Sequence, residues 1–188
     1  LYVYPAQVVF CKKPVAGIDG LKGLRVRTAS PTQADWVTAL GAQPVVTSFV
    51  DLVPNLKAGN IDCAITGTMS GNTLGVHELT THLHPLVVNW GLSIFGANLA
   101  AWNALPADLQ GLLKRELPVL EKSVWEASER ETDEGIACNV GAASCTTGRR
   151  GRMTLVVPTL ADEQRRRAVF ASAVLPAGWL DWAARKLL

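Results

Sequence analysis

Residues 19–67, DGLKGLRVRTASPTQADWVTALGAQPVVTSFVDLVPNLKAGNIDCAITG, form the stretch of the chain that decides the fold. Residues 24–27, 44–47 and 61–65 predict three short strands, because β-branched residues such as Val26, Val45 and Ile65 recur in them. Helical stretches separate them, and the first begins at a Ser-Pro pair because serine caps a helix and proline fits its first turn. The resulting order βαβαβ is typical of a parallel sheet in an α/β protein.

Arg27 stands at the carboxyl end of the first predicted strand. Ligands of parallel sheets bind at this edge. A guanidinium is a planar fork that fits a carboxylate with two parallel hydrogen bonds. The pattern therefore favours recognition of an anion over bond-making chemistry. An ion pair with a surface acid such as Asp19 or Asp51 explains the arginine equally well.

Three ordered motifs carry a family resemblance: DGLKGLRVR at 19–27, ALGAQPVVTSF at 39–49 and GNIDC at 59–63. Together they resemble the second lobe of solute-binding proteins that serve tripartite ATP-independent periplasmic (TRAP) transporters. Looser similarity continues into the long predicted helix at 107–137. The resemblance covers roughly the first three quarters of the chain.

This resemblance implies a two-lobe α/β fold of the periplasmic-binding-protein type (type II-like), with a largely complete second lobe and a partial first lobe. Residues 1–90 would form the second lobe with the ligand arginine. Residues 91–137 would form a crossover strand and a long helix of the first lobe and hinge. Residues 138–188 would add a return strand and C-terminal helices. Because the relatives are longer and no signal peptide is visible, we expect a fragment that lacks the start of its first lobe.

The resemblance also implies roles for single residues. Arg27 would bind the ligand carboxylate, and Phe49 matches an aromatic residue that lines the pocket, although a plain core position suits it too. Thr66 stands where many relatives have an asparagine, and its hydroxyl could still donate to a carboxylate oxygen. Gln7 stands near the place of a second arginine that some relatives carry, so a second charge clamp is not expected.

Asn89 and Trp90 lie at the predicted crossover between the lobes, where they are candidate ligand contacts. An indole there could stack on a ring-bearing ligand. A core anchor is the alternative role for Trp90.

The function implied by the resemblance is a periplasmic receptor, not an enzyme, which captures a small organic acid by hinge closure and needs no cofactor. Its partners would be the acid and the membrane permease subunits of the transporter. The alternatives are a small α/β enzyme that uses Cys63 or the group His77, His82 and His84, or a non-functional fragment. The histidine spacing is a weak metal signal with few acids nearby, and we expect no metal.

Composition excludes some other functions. The formal net charge of +2 leaves no strong nucleic-acid footprint. No run approaches the roughly 18 apolar residues that a membrane-spanning helix needs. Arginine clusters at 149–152 and 165–167 are best explained as solvated surface.

Four cysteines are present. Cys138 and Cys145 flank a small flexible loop, and we expect them to form a local disulfide, as an oxidising compartment allows. Cys63 lies in a predicted buried strand, where it should behave as a small unpaired hydrophobe. Cys11 fits either state.

Overall fold

The strands alternate with short helices through the first half of the chain. The computed structural model describes residues 1–176. Within them the strands are β1 (Tyr2–Val3), β2 (Gln7–Cys11), β3 (Arg25–Thr28), β4 (Gln43–Val46), β5 (Cys63–Gly67), β6 (His82–Asn89), β7 (Leu92–Ser93) and β8 (Thr154–Leu155). The C-terminal helices predicted beyond residue 176 lie outside the described residues.

Helices cover both faces of the sheet. The helices of the described residues are α1 (Pro31–Ala39), α2 (Leu52–Lys57), α3 (Thr68–Thr73), α4 (Leu99–Asn103), α5 (Ala107–Val140) and α6 (Leu160–Val169), with 3-10 turns at Ile18–Leu21 and Val76–Glu78 and a π-helical turn at Phe170–Val174. Of these, α4 has no buried residue. Within residues 1–176 no helix combines the length and the apolar character needed to cross a membrane.

The main sheet has six strands in the order β4-β3-β5-β2-β6-β8. β3 pairs in parallel with both β4 and β5, which confirms the predicted parallel βαβαβ unit, with strand boundaries shifted by one or two residues. β2 is antiparallel to β5 and to β6. Therefore β3, β5 and β6 end, and β2 begins, at the same edge of the sheet. A separate ribbon of β1 and β7 lies outside the main sheet.

α1 begins directly at this edge because its first turn is well capped. The Ser30 side chain accepts a hydrogen bond from the Gln33 N–H (3.3 Å), and Pro31 occupies the first turn. Gly41, with φ of +76°, follows the helix end in the left-handed conformation that glycine tolerates best. Trp36 and Val37 are buried against the sheet and fix the helix above the end of β3.

The sheet is buried on both faces. Alternate residues of β2 point to opposite sides, so Val9 packs in one core cluster and Phe10 in the other. One cluster lies under α1 and α6, and the other lies under α2 and the C-terminal part of α5. This double burial holds the central strands, and thus their shared edge, in a fixed position.

The 34-residue helix α5 is tied to the sheet at its C-terminal half through α3. It continues through Pro118 and ends three residues beyond its predicted limit. At Gly135 it contacts the α3 backbone so closely that an added Cβ would lie 2.6 Å from the Thr68 carbonyl carbon. A side chain at this position would have to push the two helices apart.

We expect Gly135→Ala to lower the free energy of unfolding by about 1–3 kcal/mol, as overpacking typically does. Gly111→Ala is the matched control in the same helix, since an added Cβ there meets nothing within 4 Å. The control should raise stability by about 0.5–1 kcal/mol, because alanine is the better helix former. Urea unfolding of both variants checks this. Equal effects would contradict close packing at Gly135.

Two disulfides are present among the described residues. Cys138–Cys145, with a Cα–Cα distance of 4.6 Å, agrees with the predicted local bond. The prediction that Cys63 is unpaired is wrong, because Cys63 bonds to Cys11. The antiparallel register of β2 and β5 sets these two residues directly opposite each other, with Cα atoms 4.1 Å apart.

We expect Cys11→Ala/Cys63→Ala to be more destabilising than Cys138→Ala/Cys145→Ala. The Cys11–Cys63 bond joins residues 52 positions apart in the sequence, whereas the Cys138–Cys145 bond joins residues 7 positions apart. Loop-closure entropy then predicts losses of about 4 and 2.5 kcal/mol. Urea unfolding under oxidising conditions measures both. A larger loss in the second double variant would contradict the entropic account.

Candidate functional site

A cleft of about 430 Å³ opens along the sheet edge where β3, β5 and β6 end and β2 begins. Its walls come from these four strands, from the start of α1, from the segments after β4 and β6, and from the first turn of α3. The lining residues are Tyr4, Gln7, Arg27, Ala29, Ser30, Gln33, Phe49, Thr66, Gly67, Ser70, Asn89, Gly91 and Leu92.

Arg27 is the charged group of this cleft. Its side chain is only 2% exposed. Nε and Nη2 donate to the Thr47 carbonyl oxygen (3.2 and 2.9 Å), and Nη1 donates to the Ile65 carbonyl oxygen (2.9 Å). Burial lowers the pKa of the guanidinium from its usual value. Arginine nevertheless stays protonated at neutral pH, so the cleft holds a full positive charge.

Two N–H groups of the Arg27 guanidinium have no hydrogen-bond acceptor among the described residues. A guanidinium has five N–H donors, and three bonds to carbonyl oxygens leave one donor on each terminal nitrogen without a partner among residues 1–176. The acids that could have paired with Arg27 lie elsewhere. Asp19 pairs with Arg165 (3.0 Å), and Asp51 accepts from Ser48 (2.6 Å). The two remaining donors match the two oxygens of a carboxylate.

The neighbouring arginine on the same strand has the opposite environment. Arg25 forms a two-bond ion pair with Asp62 (2.7 and 2.9 Å) at the start of β3, away from the edge where that strand ends. This bonding lowers the pKa of the Asp62 carboxyl and raises that of Arg25. The charge of Arg25 is therefore balanced by Asp62, whereas Arg27 has no carboxylate partner among residues 1–176.

Three other predicted site residues lie in the same cleft as Arg27. Phe49, 45% exposed, follows β4 and lines the opening rather than the core. Thr66 is buried on β5 near its end. Asn89 ends β6, and its Oδ1 accepts a hydrogen bond from Gln33 Nε2 (2.9 Å).

Trp90 lies elsewhere. It is 49% exposed, so it is no core anchor, and it lines a second hollow of about 650 Å³ with Val3, Leu92 and Trp125. The side chain leaves the cleft because successive residues of an extended chain point to opposite sides, and Asn89 takes the inner side.

Sequence reasoning missed Gln33 as a cleft residue. The Gln33 side chain is 4% exposed and links the start of α1 to β6: Oε1 accepts from the Ala29 N–H (2.7 Å), while Nε2 donates to Asn89. A signal was present, since Ser30 followed by Gln33 matches the capping-box spacing S-x-x-Q. Sequence reasoning also missed Ser70, which lies in the first turn of α3, where that helix opens onto the cleft.

The residues of the alternative enzyme hypothesis do not assemble. Cys63 has no free thiol, because it is bonded to Cys11. His77 lies on a 3-10 turn, whereas His82 and His84 lie on β6. Among the described residues no cluster of three or more His, Cys, Asp or Glu side chains could hold a metal ion.

His84 is instead a buried core histidine. Its Nδ1 accepts from the Leu86 N–H (3.3 Å), and its Nε2 has no hydrogen-bond partner among residues 1–176. Burial lowers the pKa of His84, and the nearby Asp162 carboxylate of α6 partly opposes this. The unfolded chain therefore takes up this proton at a higher pH than the folded protein does.

It follows that the free energy of unfolding should fall as the pH drops below about 6.5, where an ordinary histidine becomes charged. We expect a shallower decline between pH 7 and pH 5 in His84→Gln, measured by urea unfolding at several pH values. His82→Gln, which replaces another histidine of β6, is the matched control for this comparison. Identical pH profiles for wild type and His84→Gln would contradict the burial of a neutral imidazole.

The geometry defines a cleft at the edge of an α/β sheet, lined by a buried arginine that has no acidic partner among residues 1–176. The sequence model of the family "DctP: Bacterial extracellular solute-binding protein, family 7" matches residues 6–140. The chain belongs to this family of substrate-binding receptors.

Solved structures share the fold at low sequence identity. A Bordetella pertussis extracytoplasmic solute receptor binding pyroglutamic acid is 22% identical with a TM-score of 0.80, covering 91% of this chain and 54% of that one. A Rhodoferax ferrireducens TRAP periplasmic solute-binding protein with bound malonate is 18% identical with a TM-score of 0.77, covering 92% of this chain and 53% of that one. An Actinobacillus succinogenes protein of the same kind with bound L-galactonate is 22% identical with a TM-score of 0.75, covering 94% of this chain and 56% of that one. The chain thus spans a little over half the length of these proteins.

Proposed function

We propose that this chain is an extracytoplasmic solute-binding receptor of a TRAP transporter and that it captures a small organic acid on Arg27. The receptor works in the periplasm and presents its ligand to membrane permease subunits. Its chemistry is binding without bond-making. Residues 1–90 carry the lobe with the arginine, 91–137 the crossover and long helix, and 138–188 the returning segment.

The observation that carries this proposal is the buried, incompletely bonded Arg27. Burying a cation is costly unless it is paired and hydrogen-bonded. Carbonyl oxygens of Thr47 and Ile65 satisfy three donors and leave two pointing to no acceptor among the described residues. An incoming carboxylate supplies both the missing charge and the missing acceptors, so its binding relieves the cost of burial.

The known ligands of structural neighbours support the same chemistry. Pyroglutamic acid, malonate and L-galactonate are bound to the Bordetella, Rhodoferax and Actinobacillus proteins, respectively. These molecules differ in size and polarity, and a carboxylate is the group that they share. A carboxylate is also the group that the free donors of Arg27 fit best.

Closure of a second wall over the cleft would complete capture. The cleft is open to solvent beside Phe49, which is half exposed. Excluding water from an arginine–carboxylate pair strengthens the interaction, because the effective dielectric constant falls. Closure around the ligand then gives a permease a shape that differs between empty and loaded receptor.

We expect Arg27→Met to weaken binding of a carboxylate by at least about 2–4 kcal/mol, the usual effect of removing one partner of a buried charge pair. Arg25→Met is the matched control on the same strand and should leave affinity unchanged, since Arg25 pairs with Asp62. Isothermal titration with pyroglutamate, malonate and L-galactonate measures both.

Arg27→Lys guards against a folding artefact, because it keeps the charge but offers no planar fork. We expect an affinity between those of wild type and Arg27→Met, with unchanged circular dichroism. Carboxylate binding that is equally tight in wild type, Arg27→Met and Arg27→Lys would overturn the assignment.

A further inference from the structure

The described cleft holds one charge and several neutral polar groups. Among its lining residues Arg27 is the single basic side chain, and no lining residue is an aspartate or glutamate. The two free donors of Arg27 suffice for one carboxylate. A second ligand carboxylate held in this cleft would have no cation beside it among residues 1–176, and an unpaired buried carboxylate is strongly disfavoured.

The neutral polar groups gather around Gly67, at the end of β5. A Cβ placed on Gly67 would lie 3.0 Å from Ser70 Oγ and 3.2 Å from Gln7 Nε2. The hydroxyl of Ser70 and the amide of Gln7 therefore flank the same short stretch of backbone. Glycine at this position leaves that space open toward the cleft.

Both groups have spare hydrogen-bonding capacity. Within residues 1–176 the Gln7 amide makes one hydrogen bond, from Nε2 to the Pro5 carbonyl oxygen (2.9 Å), and the Ser70 hydroxyl makes none. One amide N–H, the amide oxygen and the hydroxyl are thus available. An amide and a hydroxyl can each donate and accept, which suits a ligand hydroxyl, carbonyl or amide.

The spacing suits a small ligand with two different ends. Gln7 opens β2, and Arg27 lies on β3, with β5 between them. At about 4.8 Å per strand, their backbones lie roughly 10 Å apart across the sheet. Both side chains line the cleft, so a molecule a few carbon atoms long can reach the guanidinium and the Gln7–Ser70 pair together.

Resting on the function proposed above, we propose that the cleft selects monocarboxylates that carry a neutral hydrogen-bonding group and discriminates against dicarboxylates. Arg27 holds the carboxylate. Gln7 and Ser70 determine specificity by binding the uncharged end.

The test compares acids of equal length on the full chain at pH 7.5 by isothermal titration. 4-Hydroxybutyrate and succinate differ in one terminal group, as do 3-hydroxypropionate and malonate. We expect each hydroxy acid to bind at least tenfold more tightly than its dicarboxylate. Dicarboxylates that bind as tightly as the hydroxy acids, or more tightly, would overturn the proposal.

Variants then locate the discrimination. Gln7→Arg should reverse the preference within each pair by supplying the missing charge. Gln7→Met and Ser70→Ala should weaken hydroxy-acid binding about three- to tenfold, the usual effect of one lost hydrogen bond. An unchanged preference in a folded Gln7→Arg protein would contradict the role of Gln7. The wild-type comparison stands by itself if that variant does not fold.

The outcomes separate this inference from the function on which it rests. Equal affinity for both members of each pair, lost in Arg27→Met, would leave an acid receptor without the stated selectivity. Acid binding that is insensitive to Arg27, or no binding of any of the four acids, would overturn both.

Discussion

Burying the Arg27 guanidinium at the edge of the sheet requires acceptors for its N–H groups, and the architecture around the cleft supplies them. The acceptors are the backbone carbonyl oxygens of Thr47, which follows β4, and of Ile65, which belongs to β5. β4 and β5 are the two strands that flank β3. A carbonyl holds the guanidinium without neutralising it. The side chain is therefore fixed in orientation while its charge remains available to a ligand.

The remainder of the scaffold keeps this edge in place. Cys11–Cys63 joins β2 to β5 at the end remote from the cleft, so the two strands that carry Gln7 and Gly67 hold a fixed register. α1 is capped at the edge itself, and Gln33 ties its first turn to β6. The cleft walls are strand ends and helix starts. Because both faces of the sheet are packed, these elements hold their polar groups in fixed positions.

Local patterns made Arg27 predictable and left other features out of reach. The βαβαβ order places the ends of parallel strands on one edge of the sheet, and this order located Arg27 at that edge. The Cys11–Cys63 bond depends on the pairing of β2 beside β5 across 52 residues, and no local periodicity reports it. Trp90 lies outside the cleft because, one residue past Asn89, the alternation of an extended chain turns its side chain to the other side.

The most direct test of the central claim is a crystal structure of the full chain grown with a small hydroxy acid. The account predicts carboxylate oxygens at about 2.7–2.9 Å from Arg27 Nη1 and Nη2, with the bonds from the guanidinium to Thr47 and Ile65 retained. A ligand whose carboxylate lies on another cation, while Arg27 keeps its two free donors, would contradict it.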